Sequence, residues 1–192
     1  MAASTLTLPQ PKTWDVTEFH KLRESGLWDG RRMILLHGTL WDLGPIKPPH
    51  AVAVTLVHHA LTNVFGAAFH IRTQLPLVLN LQTDPRPDLA VVAGHPRDYA
   101  YDHPSSAELV VEIADSSLAL DRHEKRTLYA TAAVPDYWIL DLNGRRLLVY
   151  RDPAPAADGG SEYTHEQILA PDETITPLAV PDRGIAVAEL LP

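Results

Sequence analysis

The sequence predicts a mixed α/β domain in which helices flank a central β-sheet and hairpins extend from it. Three observations indicate this class. Short apolar runs rich in β-branched residues recur along the chain, and Leu109–Ala114 is the clearest of them. Residues 51–68 form a long apolar stretch with helical periodicity, and the pair Asn143-Gly144 joins two apolar runs. The 192 residues predict one domain over residues 14–192, preceded by a flexible arm over residues 1–13.

The amino-terminal third predicts a helix, a hairpin and a long helix. Residues 16–25 predict a short helix that Gly26 ends. Residues 33–36 and 39–42 flank a glycine-containing pair and predict a hairpin. Residues 51–68 predict a helix that faces the core, because apolar residues recur at steps of four. The stripe expected to face the core contains Val52, Leu56, Ala60 and Val64, with Val57, Leu61 and Phe65 beside it.

The middle of the chain predicts three strands and a helix. Residues 71–79 and 88–92 predict strands that a turn-rich segment separates. A polar loop over residues 94–106 follows. Residues 109–114 predict a strand, and a helix is expected from about residue 121 to residue 132.

The carboxy-terminal third predicts a hairpin and a closing segment. Residues 137–142 and 145–150 are expected to pair, with positive φ in the Asn143-Gly144 turn between them. The remaining expected elements are a flexible connector, a strand and a closing segment, at residues 152–161, 163–169 and 187–191.

Composition limits the possible functions. The absence of cysteine excludes disulfides and thiolate zinc sites, and leaves oxygen and imidazole as metal ligands. The net charge of −8 argues against a general nucleic-acid binder but not against a nuclease, because a magnesium site needs carboxylates. We find neither a leader nor an apolar run suited to a bilayer, and expect a soluble cytoplasmic protein with no membrane partner.

Asp88, Glu112 and Lys125 are the candidate catalytic residues. Asp88 follows Pro87 and opens an apolar run, whereas Glu112 interrupts a β-branched strand. A buried carboxylate is costly unless it is paired, protonated or bound to a metal, so we expect Glu112 to line a cleft. Each residue alone also has an ordinary reading, as a turn aspartate, a salt-bridge glutamate or a surface lysine.

Asp121, Lys125 and Tyr129 recur at steps of four and therefore share one face of the predicted helix. We expect that face to be solvated. On this expectation, Lys125→Ala removes activity and leaves folding intact, because an exposed lysine contributes little to stability.

The order of these motifs resembles the PD-(D/E)XK nuclease superfamily. It is most similar to the Uma family of "putative restriction endonucleases", in which the lysine stands on the helix after the acidic strand. The resemblance covers residues 14–191. Besides the candidate residues it includes the aromatic strand over residues 134–141 and His50 after a proline-rich loop. In three places the chain departs from the usual pattern: Ala114 stands at the superfamily's lysine position, Asp115-Ser116-Ser117 replaces Ser-Pro-Ser, and the early hairpin lacks its acidic residues.

The resemblance implies a restriction-endonuclease-like fold, a homodimer and metal-dependent hydrolysis of DNA. Asp88, Glu112 and the backbone carbonyl of Ile113 would hold Mg²⁺ or Mn²⁺. Lys125 would orient water and stabilise developing charge. Asp121 and Tyr129 would orient the lysine, and His50 would contact substrate or a metal-bound water.

Two alternatives stay open. One is a catalytically silent nuclease-fold module that binds nucleic acid or a protein partner, and the other is a carboxylate-based hydrolase acting on another substrate. A basic patch beside the triad would favour nucleic acid. The candidates for such a patch are Arg72, Arg86, Arg122 and Arg126.

Overall fold

A six-stranded β-sheet forms the centre of the computed structural model, which describes residues 10–157 and 159–192. The predicted arm falls mostly on residues 1–9, outside the described residues. The strands are β1 (Met33–Leu36), β2 (Thr39–Asp42), β3 (Phe69–Thr73), β4 (Leu89–Ala93), β5 (Leu109–Ala114), β6 (Asp136–Asp141), β7 (Arg146–Pro155), β8 (Ser161–Leu169), β9 (Thr174–Ile175) and β10 (Ile185–Ala186). The helices are α1 (Val16–Glu24), α2 (Pro48–Phe65), α3 (Leu118–Leu120), α4 (Arg126–Thr131) and α5 (Val187–Leu190).

The central sheet is mixed. Its strands run in the order β3-β4-β5-β6-β7-β8, and every neighbouring pair is antiparallel except β5 and β6. A parallel pair needs a crossover connection. Here one helical segment supplies it, made of α3, a π-helical turn over Asp121–Lys125 and α4. The prediction of a mixed sheet flanked by helices is confirmed.

Helices α2 and α5 cover one face of the sheet. Ala53, Val57, Leu61 and Phe65 are buried on α2, so Val57, Leu61 and Phe65 face the core as expected, whereas Val52 is 49% exposed and its predicted place in the core is wrong. Because α2 is apolar on most sides, periodicity alone allowed either stripe. In the described part of the chain, only Pro48–Ala68 is long and apolar enough to cross a membrane, a feature that we did not expect; here its buried side packs on the sheet.

The opposite face packs against α4. Tyr129 and Ala130 of α4 join a cluster with the tyrosines Tyr137, Tyr150 and Tyr163. The β1/β2 hairpin lies beside this layer, because Ile34 and Leu36 contact Leu128 of α4. The other side of β1 packs on Phe19 of α1. A backbone bridge between Leu35 and Asp84 also ties the hairpin to the segment that precedes β4.

Two of the predicted segments differ clearly in the structure. β3 begins at Phe69 and ends at Thr73 rather than running to residue 79, and Gln74 then has a φ of +52°. Residues 152–161 are mostly not a flexible connector, because β7 and β8 pair as far as Pro155 and Ser161. The low hydrophobicity of this stretch reflects an exposed hairpin extension.

The turn between β6 and β7 also differs in detail. Arg145, with a φ of +47°, holds the left-handed position that we expected at Asn143-Gly144. Gly144 is required for another reason: a Cβ there would collide with the Asp141 carboxylate, which accepts a 2.9 Å hydrogen bond from the Gly144 N–H.

Candidate active site

Sheet register brings Asp88 and Glu112 together. Leu89 pairs with Val111, and Ala90 pairs with Val110. One step further in this register, Asp88, which directly precedes β4, lies beside Glu112. Side chains alternate between the faces of a strand, so Glu112 points to the same face as Val110, towards α4. Both carboxylates are buried, with exposed fractions of 4% for Asp88 and 2% for Glu112.

Four donors surround the Asp88 carboxylate. Its Oδ2 lies 3.0 Å from Nε2 of His50 and accepts a 3.0 Å hydrogen bond from the backbone N–H of Ile113. Its Oδ1 accepts a 3.1 Å bond from Gln74 Nε2 and lies 3.5 Å from an Arg32 nitrogen. The long Arg32 contact leaves Oδ1 able to bind a closer cation.

Lys125 lies between two buried carboxylates. Its Nζ is 2.9 Å from Oε2 of Glu112 and 3.0 Å from Oδ1 of Asp121. The lysine is only 3% exposed, so the expected solvated face is wrong. The tertiary fold places this face of the helix over β5, which helix periodicity alone cannot show.

The remaining contacts of these carboxylates fix their orientation. The Tyr129 hydroxyl donates a 2.7 Å bond to Oε1 of Glu112 and thus contacts the glutamate rather than the lysine. The Ser117 hydroxyl donates a 2.6 Å bond to Oδ2 of Asp121.

The helical segment that carries Lys125 contains a π-helical turn over Asp121–Lys125. Such turns insert one extra residue into a helix and occur often at functional sites. The hydroxyl of Tyr137 donates a 2.9 Å bond to the backbone carbonyl of Asp121 at the start of this turn. The irregular turn is therefore anchored on β6, the strand next to the one that carries Glu112.

Burial shifts the titration of this cluster. It raises the pKa of Glu112 to about 7, although the Lys125 ammonium opposes the shift. Burial alone would also raise the pKa of Asp88, but the His50 hydrogen bond and the Lys125 charge outweigh it and the net pKa is lowered. Burial would lower the pKa of Lys125, but Glu112 and Asp121 outweigh it and raise that pKa. Lys125 is therefore charged at neutral pH.

One cavity joins these groups. Asp88, Glu112, Lys125 and His50 line it together with Arg86. The described part of the chain contains no cluster of three or more His, Asp or Glu side chains suited to a metal. Mg²⁺ needs fewer, because it keeps several waters and uses one or two carboxylates together with substrate phosphates. Asp88 and Glu112 are two adjacent buried carboxylates and therefore fit such an ion.

The predicted site residues all lie in or beside this cavity. Ile113 contributes its N–H to Asp88, whereas its carbonyl as a metal ligand stays a prediction. Sequence reasoning missed Gln74 and Arg32, because each reaches Asp88 from another element, after β3 and before β1. The left-handed φ of +52° at Gln74 had no signal in the sequence.

Of the four arginines proposed for a basic patch, only Arg86 lines the cavity. Arg72 is buried beside Tyr99 and His103. Arg122 and Arg126 both lie near Glu166 on β8.

A family model described as Uma2, "putative restriction endonuclease", matches residues 16–188. The chain belongs to this family. The matched region includes every candidate site residue of this Uma2 protein. A solved structure described as a putative nuclease belonging to DUF820 from Anabaena variabilis has the same fold: the TM-score is 0.71, the identity 15%, and the alignment covers 94% of this chain and 97% of that one. No curated protein matches the chain significantly.

Proposed function

We propose that the protein is a metal-dependent endonuclease that hydrolyses phosphodiester bonds in DNA. The observation that carries the proposal is the convergence of Asp88, Glu112 and Lys125 on one cavity, although they come from separate elements. Family membership supports a nuclease. The metal, the substrate and the reaction are inferred from the chemistry of these side chains.

Asp88 and Glu112 would hold Mg²⁺ or Mn²⁺ through carboxylate oxygens, with the Ile113 carbonyl as a further ligand. A cation there would act as a Lewis acid on a phosphate oxygen and lower the pKa of water in the site. His50, Gln74 and the Ile113 N–H hold the Asp88 carboxylate in one orientation. These contacts organise the ligand set before any cation binds.

Lys125 would stabilise the negative charge that develops on the phosphate oxygens as water adds to phosphorus and the ester bond breaks. Its ammonium is held by Glu112 and Asp121, so little reorganisation is needed at the moment of reaction. Asp121 positions the lysine, and Tyr129 positions the glutamate.

The test compares DNA cleavage by the wild type, Glu112→Gln and Glu124→Gln. The substrates are supercoiled plasmid and single-stranded DNA, with Mg²⁺, Mn²⁺ or EDTA. Glu124→Gln is a matched control, because it makes the same chemical change at an exposed position one residue before Lys125. We expect metal-dependent cutting by the wild type and the control, and its loss in Glu112→Gln.

Mn²⁺ binding, measured by calorimetry without DNA, gives an independent result. Glu112→Gln should bind the ion at least about tenfold more weakly, since one of two carboxylate ligands is lost. Equal affinity in the two proteins would overturn the ligand assignment. No cutting by the wild type would overturn the catalytic proposal and favour the silent binding module.

We further propose that two copies associate, which would supply two active sites for two DNA strands. Sedimentation of the purified protein tests this, because a monomer at micromolar concentration would contradict it.

A further inference from the structure

A groove lined by four arginines opens beside the active-site cavity. We call Arg23, Arg31, Arg32 and Arg86 the arginine groove. It is continuous with the active-site cavity, because Arg32, Arg86, Leu43 and Ile46 line both. The residues that line the groove include no carboxylate. This local excess of positive charge stands out in a chain of net charge −8.

The carboxylates nearest to the groove hold its arginines only loosely. The shortest ion-pair distances are 3.9 Å from Arg31 to Asp42, 3.5 Å from Arg32 to Asp88 and 3.7 Å from Arg86 to Asp84. All three exceed the distance of about 2.9 Å that is typical of a charge-assisted hydrogen bond. By contrast, Arg151 lies 2.8 Å from Asp136. The guanidinium groups of the groove therefore retain donors for another anion.

Arg86 connects the groove to the catalytic centre. It lines the active-site cavity, the groove and a third, adjoining cavity that also contains His20 and His103. Its Nε is buried, lies 3.7 Å from the Asp84 carboxylate and has no hydrogen-bond partner among the described residues. A buried donor that lacks a hydrogen bond is costly, so a closer acceptor, such as a phosphate oxygen, would be stabilised there. Its backbone adopts a φ of +47°, a conformation that non-glycine residues rarely adopt outside functional sites and turns.

Among the residues that the structure describes, Arg23 is held in place without an ion pair. Its guanidinium lies 5.8 Å from the centre of the Phe19 ring and donates a 3.3 Å bond to the Met33 carbonyl. Neither contact neutralises the charge. The side chain is thus ordered and still available to an anion.

We propose that the arginine groove binds backbone phosphates of a nucleic-acid strand next to the phosphate that is cleaved. A row of guanidinium forks matches a chain of phosphates, because each fork can contact two phosphate oxygens. The inference rests on the proposed function for the identity of the strand. It adds the direction in which the strand leaves the active site, from Asp88 towards α1.

Binding of fluorescein-labelled DNA, single-stranded and duplex, tests the proposal. Anisotropy is measured in EDTA, so that cleavage does not interfere, over a series of salt concentrations. The wild type is compared with Arg23→Ala/Arg31→Ala. The matched control is Arg97→Ala/Arg183→Ala, which removes the same charge from exposed positions away from the groove.

We expect the groove variant to bind more weakly by about five- to tenfold per arginine at 0.1 M salt, since each phosphate contact adds about 0.7 to 0.9 to the slope of log K against log salt. For the double variant, the slope of log K against log salt should become less steep by the contribution of about two phosphate contacts. The affinity and slope of the control should match those of the wild type. Arg31→Ala alone, at a side chain that is 64% exposed, gives a second variant in which folding is not at risk.

The outcomes separate this proposal from the function on which it rests. Equal affinity and slope in the wild type and both groove variants overturn the groove, even if the wild type cuts DNA. If the wild type does not cut DNA but the groove variants bind DNA more weakly than the wild type, the groove proposal is supported and the nuclease proposal is overturned. A wild type that binds no DNA at the lowest salt overturns the groove, while metal-dependent cutting still reports separately on the nuclease.

Discussion

Replacement of Lys125 by methionine should destabilise the protein strongly. Methionine has nearly the same length as lysine but carries no charge. In the folded protein the lysine is 3% exposed, and its Nζ lies within 3.0 Å of both Glu112 and Asp121. Its removal leaves two buried carboxylates without their cation, beside the third carboxylate of Asp88.

The expected loss follows from the cost of breaking a buried ion pair. Removal of one partner typically costs about 3–5 kcal/mol, because the remaining charge is buried and uncompensated. With a urea m-value of about 2 kcal/mol per molar for a domain of this size, the midpoint should fall by about 1.5–2.5 M. Proton uptake by Glu112, whose pKa is already about 7, places the loss towards the lower end.

Urea denaturation followed by circular dichroism measures this shift. Lys21→Met is the matched control, because Lys21 is exposed on α1, and its midpoint should change by less than about 0.5 M. The double variant Lys125→Met/Glu112→Gln should recover at least about 1 kcal/mol, since one uncompensated charge is removed with the cation. A midpoint for Lys125→Met within about 0.5 M of the wild type would refute the buried arrangement.

Three further outcomes are expected. Tyr129→Phe should cost about 1–2 kcal/mol in urea denaturation, because a buried hydroxyl bond to a carboxylate is lost, whereas the same change at the exposed Tyr101 should cost nothing measurable; equal effects would contradict the bond. His50→Ala should lower metal-dependent cleavage about 10- to 100-fold while the fold persists, since the imidazole orients Asp88. Full activity would show that this contact is dispensable. Leu61→Ala should lower the free energy of unfolding by about 2–5 kcal/mol, and Val52→Ala by under about 1 kcal/mol; the reverse order would contradict the burial of Leu61 and the exposure of Val52.

Local patterns predicted the strands of the core well. Leu109–Ala114 and the strand after Asp88 were identifiable because both faces of the sheet are covered, which makes the strands apolar throughout. Apolar residues surround most of α2, so its periodicity indicated Val57, Leu61 and Phe65 correctly but also included the exposed Val52. The β7/β8 extension was missed because exposed strands resemble flexible linkers in composition, and only pairing distinguishes them.

The candidate site was predictable as a set of residues but not as a geometry. Asp88, Glu112 and Lys125 could be identified from the short motifs around them and from the order of those motifs along the chain. Their contacts depend on sheet register and on the crossover between β5 and β6, which bring residues 13 and 25 positions apart within contact distance. Gln74 and Arg32 come from still other elements, and no local pattern indicates that they reach Asp88.

The π-helical turn over Asp121–Lys125 makes the length of this segment part of the active site. Deletion of one residue within it would restore a regular α-helix and turn the residues on one side by about 100° relative to the other. If α3 keeps its place, Lys125 and Tyr129 would then turn away from Glu112. In this segment, insertion or deletion of a single residue should therefore distinguish inactive relatives from active ones more sharply than most substitutions do.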